Sequence, residues 1–155
     1  MKRISMKTFG QIVRRVMETL PEEFTPYLDN VVVDVLPEPT VDLLHSVGLS
    51  DAEIEAGQSV FGLFDPLPLP LEGLDEAEVA PHRLIIFKRP LEEAFPERRS
   101  LVIEIRKTVI HELAHHFGWT DEELEAFDAK PDPFGDTLGD DLLALLENLE
   151  ARRKD

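Results

Sequence analysis

Apolar residues recur every three or four positions in three parts of the chain, which is typical of amphipathic helices. The first is the opening segment TFGQIVRRVMETLPEEF, in which Pro21 is expected to end the helix. The second runs from about Glu97 to Phe117, with Pro96 before it and Gly118 after it. The third is the tail DDLLALLENLEARRKD. The apolar positions of the first and third helices are Phe9, Ile12, Val13, Val16 and Leu20, and Leu142, Leu143, Leu145, Leu146 and Leu149.

Three other segments are short and rich in β-branched or continuously apolar residues, which predicts strands. They are NVVVDVLP, the start of QSVFGLFDPLPLPLEG from Ser59 to Phe64, and HRLIIFKRP. The unbroken apolar run Leu84 to Phe87 suits a central strand covered on both faces. Ser59 to Phe64 is then expected at a sheet edge, and Gly62 within it indicates a bulge or a close backbone approach.

The order of these elements predicts the fold class. The intervening segment TVDLLHSVGLSDAEIEAG is acidic and is expected to be short-helical with some loop. The chain therefore runs helix, strand, acidic helical segment, strand, strand, long helix and tail helix. This order, in 155 residues, predicts one α+β domain with helices packed on a small sheet.

Composition and charge narrow the classes of partner. The formal net charge is −16, and residues 21–81 hold no Lys or Arg, so the field repels nucleic acid. Solubility is the main interpretation of this charge, and a preference for cationic peptide partners is a weaker alternative. No long apolar run follows the N-terminus or occurs elsewhere, so we expect a cytoplasmic protein with no membrane partner. Cysteine is absent, so any metal ligands must be His, Asp or Glu.

The stretch TVIHELAHHFGWTDEELEAF, residues 108–127, carries the strongest chemical signal. On a helical wheel His111 and His115 lie within about 40° of each other, so both imidazoles project from one side, one turn apart. The apolar residues of this helix fall on the opposite side: Val102, Ile105, Val109, Ile110, Leu113 and Phe117. The apolar side of the helix is therefore expected to pack in the core, and the histidine pair is expected to face away from the core. His116 falls within the apolar arc and is interpreted as a packed residue rather than a ligand.

Glu112 flanks the histidine stripe and is poorly placed to bind the same ion. It is well placed to contact a water molecule. The H-E-x-x-H motif has this function in general: the two histidines are metal ligands and the glutamate is a general base. A catalytic zinc site needs a third protein ligand, and Asp121 is the first choice, because Gly118 can turn the chain back with φ > 0. Two alternatives stay open. Thr120 or Asp121 can instead cap a helix, and Glu122, Glu123 and Glu125 are the reserve ligands.

The run H111-E112-L-A-H115-H-F-G118-W-T-D121 resembles the motif of the minimal zincin-like metallopeptidase family, small bacterial proteins once grouped as a domain of unknown function. The similarity extends over roughly residues 6–127. It implies a zincin-like α+β fold with a three- to four-stranded sheet, one Zn²⁺ per chain held by His111, His115 and Asp121, and Glu112 as general base. All three methionines lie before residue 18, so the methionine turn of metzincins has no counterpart here.

The resemblance implies a zinc-dependent peptidase acting on a peptide or protein substrate. Residues 1–127 form the predicted peptidase domain, and residues 128–155 a C-terminal extension packed on the same domain; a monomer is expected. The alternative is a non-catalytic, metal-stabilised binding module, which has no use for Glu112. A third hypothesis is an interaction protein that acts through its leucine-rich tail helix, for which packing on its own core is the simpler interpretation.

Overall fold

The computed structural model describes residues 4–20, 22, 24, 31–65, 82–116, 118–129 and 138–153. Within these ranges the chain forms seven helices and three strands. In order they are α1 (Met6–Glu18), β1 (Val31–Leu36), α2 (Val41–Ser46), α3 (Asp51–Glu55), β2 (Gly62–Asp65), β3 (His82–Phe87), α4 (Lys88–Ala94), α5 (Arg98–His116), α6 (Asp121–Asp128) and α7 (Leu138–Arg153). The predicted α+β class with a small sheet and one long helix is confirmed. The predicted helix stop at Pro21 lies outside the described residues.

The sheet has the order β1-β3-β2, with β1 parallel and β2 antiparallel to β3. Leu84, Ile85, Ile86 and Phe87 are all buried, because β3 is paired on both edges and covered on both faces. This confirms the prediction of a central strand, and it confirms the edge position of β2. Regular pairing of β2 begins at Gly62, three residues later than predicted.

The third predicted strand begins where it was expected, at His82, but it ends three residues earlier than predicted. HRLIIFKRP is a strand only as far as Phe87, and Lys88 begins the helix α4. Pro90 is the third residue of α4, where the first turn leaves N–H groups without intrahelical partners, so its missing N–H costs little. Lys88 forms a buried ion pair with Glu92 one turn later, which stabilises the helix.

The long helix α5 has the two faces that its sequence predicts. The predicted apolar residues from Val102 to Leu113 are at most 1% exposed, whereas His111 and Glu112 are half-buried and His115 is exposed. Most of the buried face joins residues of α1 and the sheet in one core cluster, and Ile110 belongs to a second, smaller cluster. The predicted apolar contact of Phe117 and the side chain of His116 lie outside the described residues.

The tail helix α7 packs against α1 and α5. Leu142 and Leu146 are 1% exposed, and the other predicted leucines of the stripe are partly buried against the same core. Arg98 at the start of α5 donates to Glu150 at 3.0 Å, which ties the two helices together. The apolar stripe is therefore used in internal packing. The domain boundary at residue 127 stays a prediction, and no helix in the described ranges is long and apolar enough to cross a membrane.

Gly62 lets β2 lie directly against α5. A Cβ at this position would stand 2.9 Å from the methyl carbon of Thr108 and 3.2 Å from the backbone oxygen of Ile85. The hydroxyl of Thr108 donates to the carbonyl of Glu104 at 2.7 Å, which orients the methyl group toward the strand. The close backbone approach expected from the sequence is confirmed.

We predict that Gly62→Ala destabilises the protein by about 1–3 kcal/mol, the usual cost of overpacking a tight contact. Gly10→Ala is the matched control, since a Cβ there meets nothing within 4 Å and the residue lies inside α1. The control should be neutral or stabilising by about 0.5–1 kcal/mol. Urea denaturation measures both, and equal stability of the two variants contradicts the contact.

Candidate active site

His111 and His115 lie one turn apart on the solvent-facing side of α5. Their ring centroids are 6.3 Å apart, and the ring planes are inclined at 47°. Two imidazoles bound to one tetrahedral zinc at about 2.0–2.1 Å have ring centres about 5 Å apart. A modest side-chain rotation supplies the difference, and exposed His115 can make it at low cost. The pair therefore fits a shared zinc ion in its donor chemistry and its spacing.

Glu112 follows His111 directly and shares a cleft with it. It is half-buried, and together with His111 it lines a cleft in front of α5, whereas His115 lies outside the lining. A carboxylate in that position faces the cleft next to the first ligand of the pair. It can exchange a proton with a molecule in the cleft without joining the ligand stripe.

The helix ends in the turn that the motif glycine predicts. Gly118 has φ of 103°, and the backbone N–H of Trp119 donates to the carbonyl of Ala114 at 2.9 Å. This is the long bond of a Schellman motif, in which a left-handed residue ends the helix and turns the chain away from its axis. The positive φ expected for this glycine is confirmed.

After the turn, α6 folds back along α5. Leu124 of α6 packs with Ile110 and Ala114 of α5, and with Phe24, in a small second cluster. Asp121 is the first residue of α6 and is exposed. The glycine turn therefore brings α6 back onto the helix that carries the histidines, through Leu124; the expected position of Asp121 beneath a metal ion stays a prediction.

The capping role belongs to Thr120. Its hydroxyl accepts from the N–H of Glu123 at 3.1 Å, and the carboxylate of Glu123 accepts from the N–H of Thr120 at 3.1 Å. This capping box occupies Glu123, so it is the least suitable reserve ligand, and it leaves Asp121 without a cap function. Asp121, Glu122 and Glu125 are all exposed.

The third ligand is not assembled with the histidine pair. Among the residues that the structure describes, no three His, Asp or Glu side chains are grouped closely enough to hold a metal ion. Asp121, at the exposed start of α6, is therefore not grouped with both histidines in this structure.

The cleft in front of α5 has a volume of about 500 Å³. One wall is the chain leading into β2, residues 59–62, and Phe95 closes one side. The other wall is the front of α5, with Glu104, Lys107, Thr108, His111 and Glu112. The cleft thus joins the edge strand to the histidine-bearing helix.

The sequence analysis missed three residues of this wall: Glu104, Lys107 and Thr108. The signal was present, because all three fall within about 60° of His111 on the helical wheel, on the side away from the apolar face. Lys107 pairs with Glu104 at 3.4 Å, and both side chains are largely buried. The polar face of α5 that carries His111 therefore extends two turns from the motif toward the start of the helix.

The fold and the site together define a class of protein: a small α+β domain whose long helix carries an H-E-x-x-H motif, with the first His and the Glu of the motif lining a cleft beside an edge strand. A family model described as zincin-like metallopeptidase matches residues 28–130, and the chain belongs to that family. Among solved structures it is similar to a conserved hypothetical protein from Thermo thermophilus, with 25% identity and a TM-score of 0.48 over 79% of this chain and 98% of the other. No curated protein matches the chain.

We predict about one bound zinc per chain, lost in both His111→Ala and His115→Ala, because each variant removes one of two adjacent donors. His45→Ala is the control, since His45 is exposed on α2 and bonded to Asp51. His116→Ala is expected to keep the metal. Elemental analysis of protein dialysed against zinc measures the stoichiometry, and equal loss in all four variants contradicts the forward-face assignment.

We predict that Asp121→Ala weakens zinc affinity by orders of magnitude, whereas Thr120→Ala keeps it. Removing the cap should cost only about 1 kcal/mol of stability, so the two neighbouring variants separate ligation from capping. Competitive titration with a zinc chelator gives the affinities. If Asp121→Ala binds zinc as the unchanged protein does, the third ligand is not Asp121, and Glu125→Ala is the next variant to titrate.

Proposed function

We propose that this protein is a zinc-dependent peptidase that hydrolyses peptide bonds with Glu112 as general base. The observation that carries the proposal is the position of His111 and Glu112 in one cleft, opposite the chain that enters an edge strand. A cleft of about 500 Å³ admits several residues of an extended peptide but excludes a folded domain. Membership of the zincin-like metallopeptidase family supports the same reaction class.

His111 and His115 would hold the zinc ion, with Asp121 as the third ligand once the start of α6 closes on the pair. When bound, zinc supplies a Lewis acid that polarises a carbonyl group and acidifies water. The carboxylate of Asp121 would add negative charge to this set, so the acidification is smaller than with three histidines. The apolar back of α5 keeps the two imidazoles in register, because it is held in the core.

Glu112 would accept a proton from the attacking water and deliver it to the amine that leaves. Its place beside the ligand stripe allows both transfers, because the carboxylate faces the cleft and does not share the metal. Half-burial limits its contact with bulk water without removing it. The same carboxylate therefore acts first as a general base and then, once it is protonated, as a general acid.

The edge strand β2 would orient the substrate. Among the described strands β2 pairs only with β3, so its other edge faces away from the sheet. An extended peptide that adds to such an edge is held by main-chain hydrogen bonds, independent of its sequence. These bonds would place a scissile carbonyl in front of His111 and Glu112.

We predict that Glu112→Gln lowers the rate of peptide hydrolysis at least about 100-fold, the usual scale for loss of a general base. The amide keeps the shape and hydrogen bonding but cannot accept the proton, so zinc stoichiometry and melting temperature should stay near those of the unchanged protein. Glu147→Gln, at an exposed position of α7, is the control for removal of one charge.

A non-catalytic binding module gives a different result. The unchanged protein would then hydrolyse no member of a peptide library, and Glu112→Gln would change nothing measurable. Loss of zinc in Glu112→Gln would instead make Glu112 a ligand or a direct support of one, and would contradict its separation from the histidine stripe.

A further inference from the structure

A second cleft lies next to the first, on the other side of residues 59–61. Its volume is about 930 Å³, and it is enclosed by α2, α3 and α4. Its lining is mixed, with Val41, Leu44, Ile54 and Ala94 among its apolar walls and Glu38, Gln58, Arg89 and Glu93 among its polar ones. Val41 is 54% exposed, which leaves apolar surface accessible to a ligand.

Ser59 and Phe61 line both clefts, so the two are neighbours separated by a thin wall. The wall is fixed in place. The carbonyl of Phe61 accepts from the N–H of Phe87 at 2.8 Å, and its ring packs edge-on against Phe95 at 5.6 Å. A chain that leaves the first cleft past Phe61 enters the second without crossing the core.

The first cleft follows α5 from Glu104 to Glu112. Eight residues of helix rise about 12 Å, which an extended peptide covers with about four residues. The cations of the two clefts are already paired with carboxylates: Lys107 with Glu104 and Arg89 with Glu38, each at 3.4 Å. Among the lining residues that the structure describes, neither cleft therefore offers an uncompensated Lys or Arg to hold the terminal carboxylate of a short peptide.

The surroundings of the second cleft are acidic. Residues 31–65 contain no Lys or Arg, and Asp42, Asp51 and Glu55 are exposed on α2 and α3, the helices whose Leu44 and Ile54 line the cleft. The N–H and hydroxyl of Ser50 donate to Glu53 and lower the pKa of that carboxyl, so its negative charge persists to lower pH. Apolar walls with an acidic rim complement a peptide that carries apolar and basic side chains.

We propose that the second cleft binds the continuation of a basic, partly apolar peptide whose scissile bond lies at His111 and Glu112. This proposal rests on the proposed peptidase function. It makes the substrate a long or unfolded chain cut at an internal bond, several residues from either end. The substrate groove then has two parts, with Phe61 between them. The first cleft holds the scissile bond, and the second cleft adds binding affinity.

The test measures peptide affinity on the zinc-loaded Glu112→Gln protein, which holds substrate without cleaving it. Three fluorescent peptides share one central sequence: a short form of about six residues, and two forms extended at both ends to about 14 residues. In one extended form the added residues alternate Leu with Lys, and in the other Leu with Glu. The basic form should bind at least about tenfold more tightly than the short form, since it buries apolar side chains in the second cleft.

Ala94→Trp fills the second cleft and should remove this gain. Ala144→Trp, at an exposed position of α7, is the matched control and should keep it. If Ala94→Trp does not fold, Val41→Trp replaces it on the opposite wall. Equal affinity for the three peptides overturns the proposal, and so does a gain that survives a folded filling variant or that is as large with the acidic extension.

The two proposals fail in different ways. Cleavage of peptides by the unchanged protein with no gain from extension leaves the peptidase standing and removes the second cleft from its substrate site. A gain in affinity with no cleavage of any peptide keeps the two-part groove and removes the peptidase. Fluorescence anisotropy gives the first result, and mass spectrometry of the incubated peptides gives the second.

Discussion

The contact between Gly62 and Thr108 sets the distance between the edge strand and the long helix, and the candidate site depends on that distance. Because Gly62 has no Cβ, the backbone of β2 lies on the methyl group of Thr108, one turn before His111. The chain entering the strand is thereby held opposite the forward face of α5. The cleft is the space left between these two walls, so its width follows from one missing side chain.

The helix α5 separates structure from chemistry by its two faces. Val109 and Leu113 are fully buried on one side, and His111 and Glu112 face the cleft on the other. A helix fixed along its whole apolar face can present polar groups without losing its position, because its stability does not depend on them. The polar face can therefore carry ligands, a proton acceptor and an ion pair at once.

Much of this follows from periodicity. The two faces of α5, the positive φ at Gly118, the edge position of β2 and the close approach at Gly62 were all predicted from local patterns and are confirmed. The helix at Lys88 was missed, because its seven residues are too few to show an apolar repeat. Periodicity also could not predict which residue caps α6 or where the second cleft lies. The cap is a choice between two adjacent residues, and the cleft forms where three separate helices meet.

The most direct test of the account is a crystal structure with zinc, with diffraction recorded on both sides of the zinc absorption edge. The account predicts one anomalous peak within about 2.0–2.1 Å of a ring nitrogen of His111 and of His115, with a carboxylate oxygen from the start of α6 as third ligand and Glu112 outside the ligand set. A peak bound elsewhere, or a peak ligated by Glu112, contradicts it.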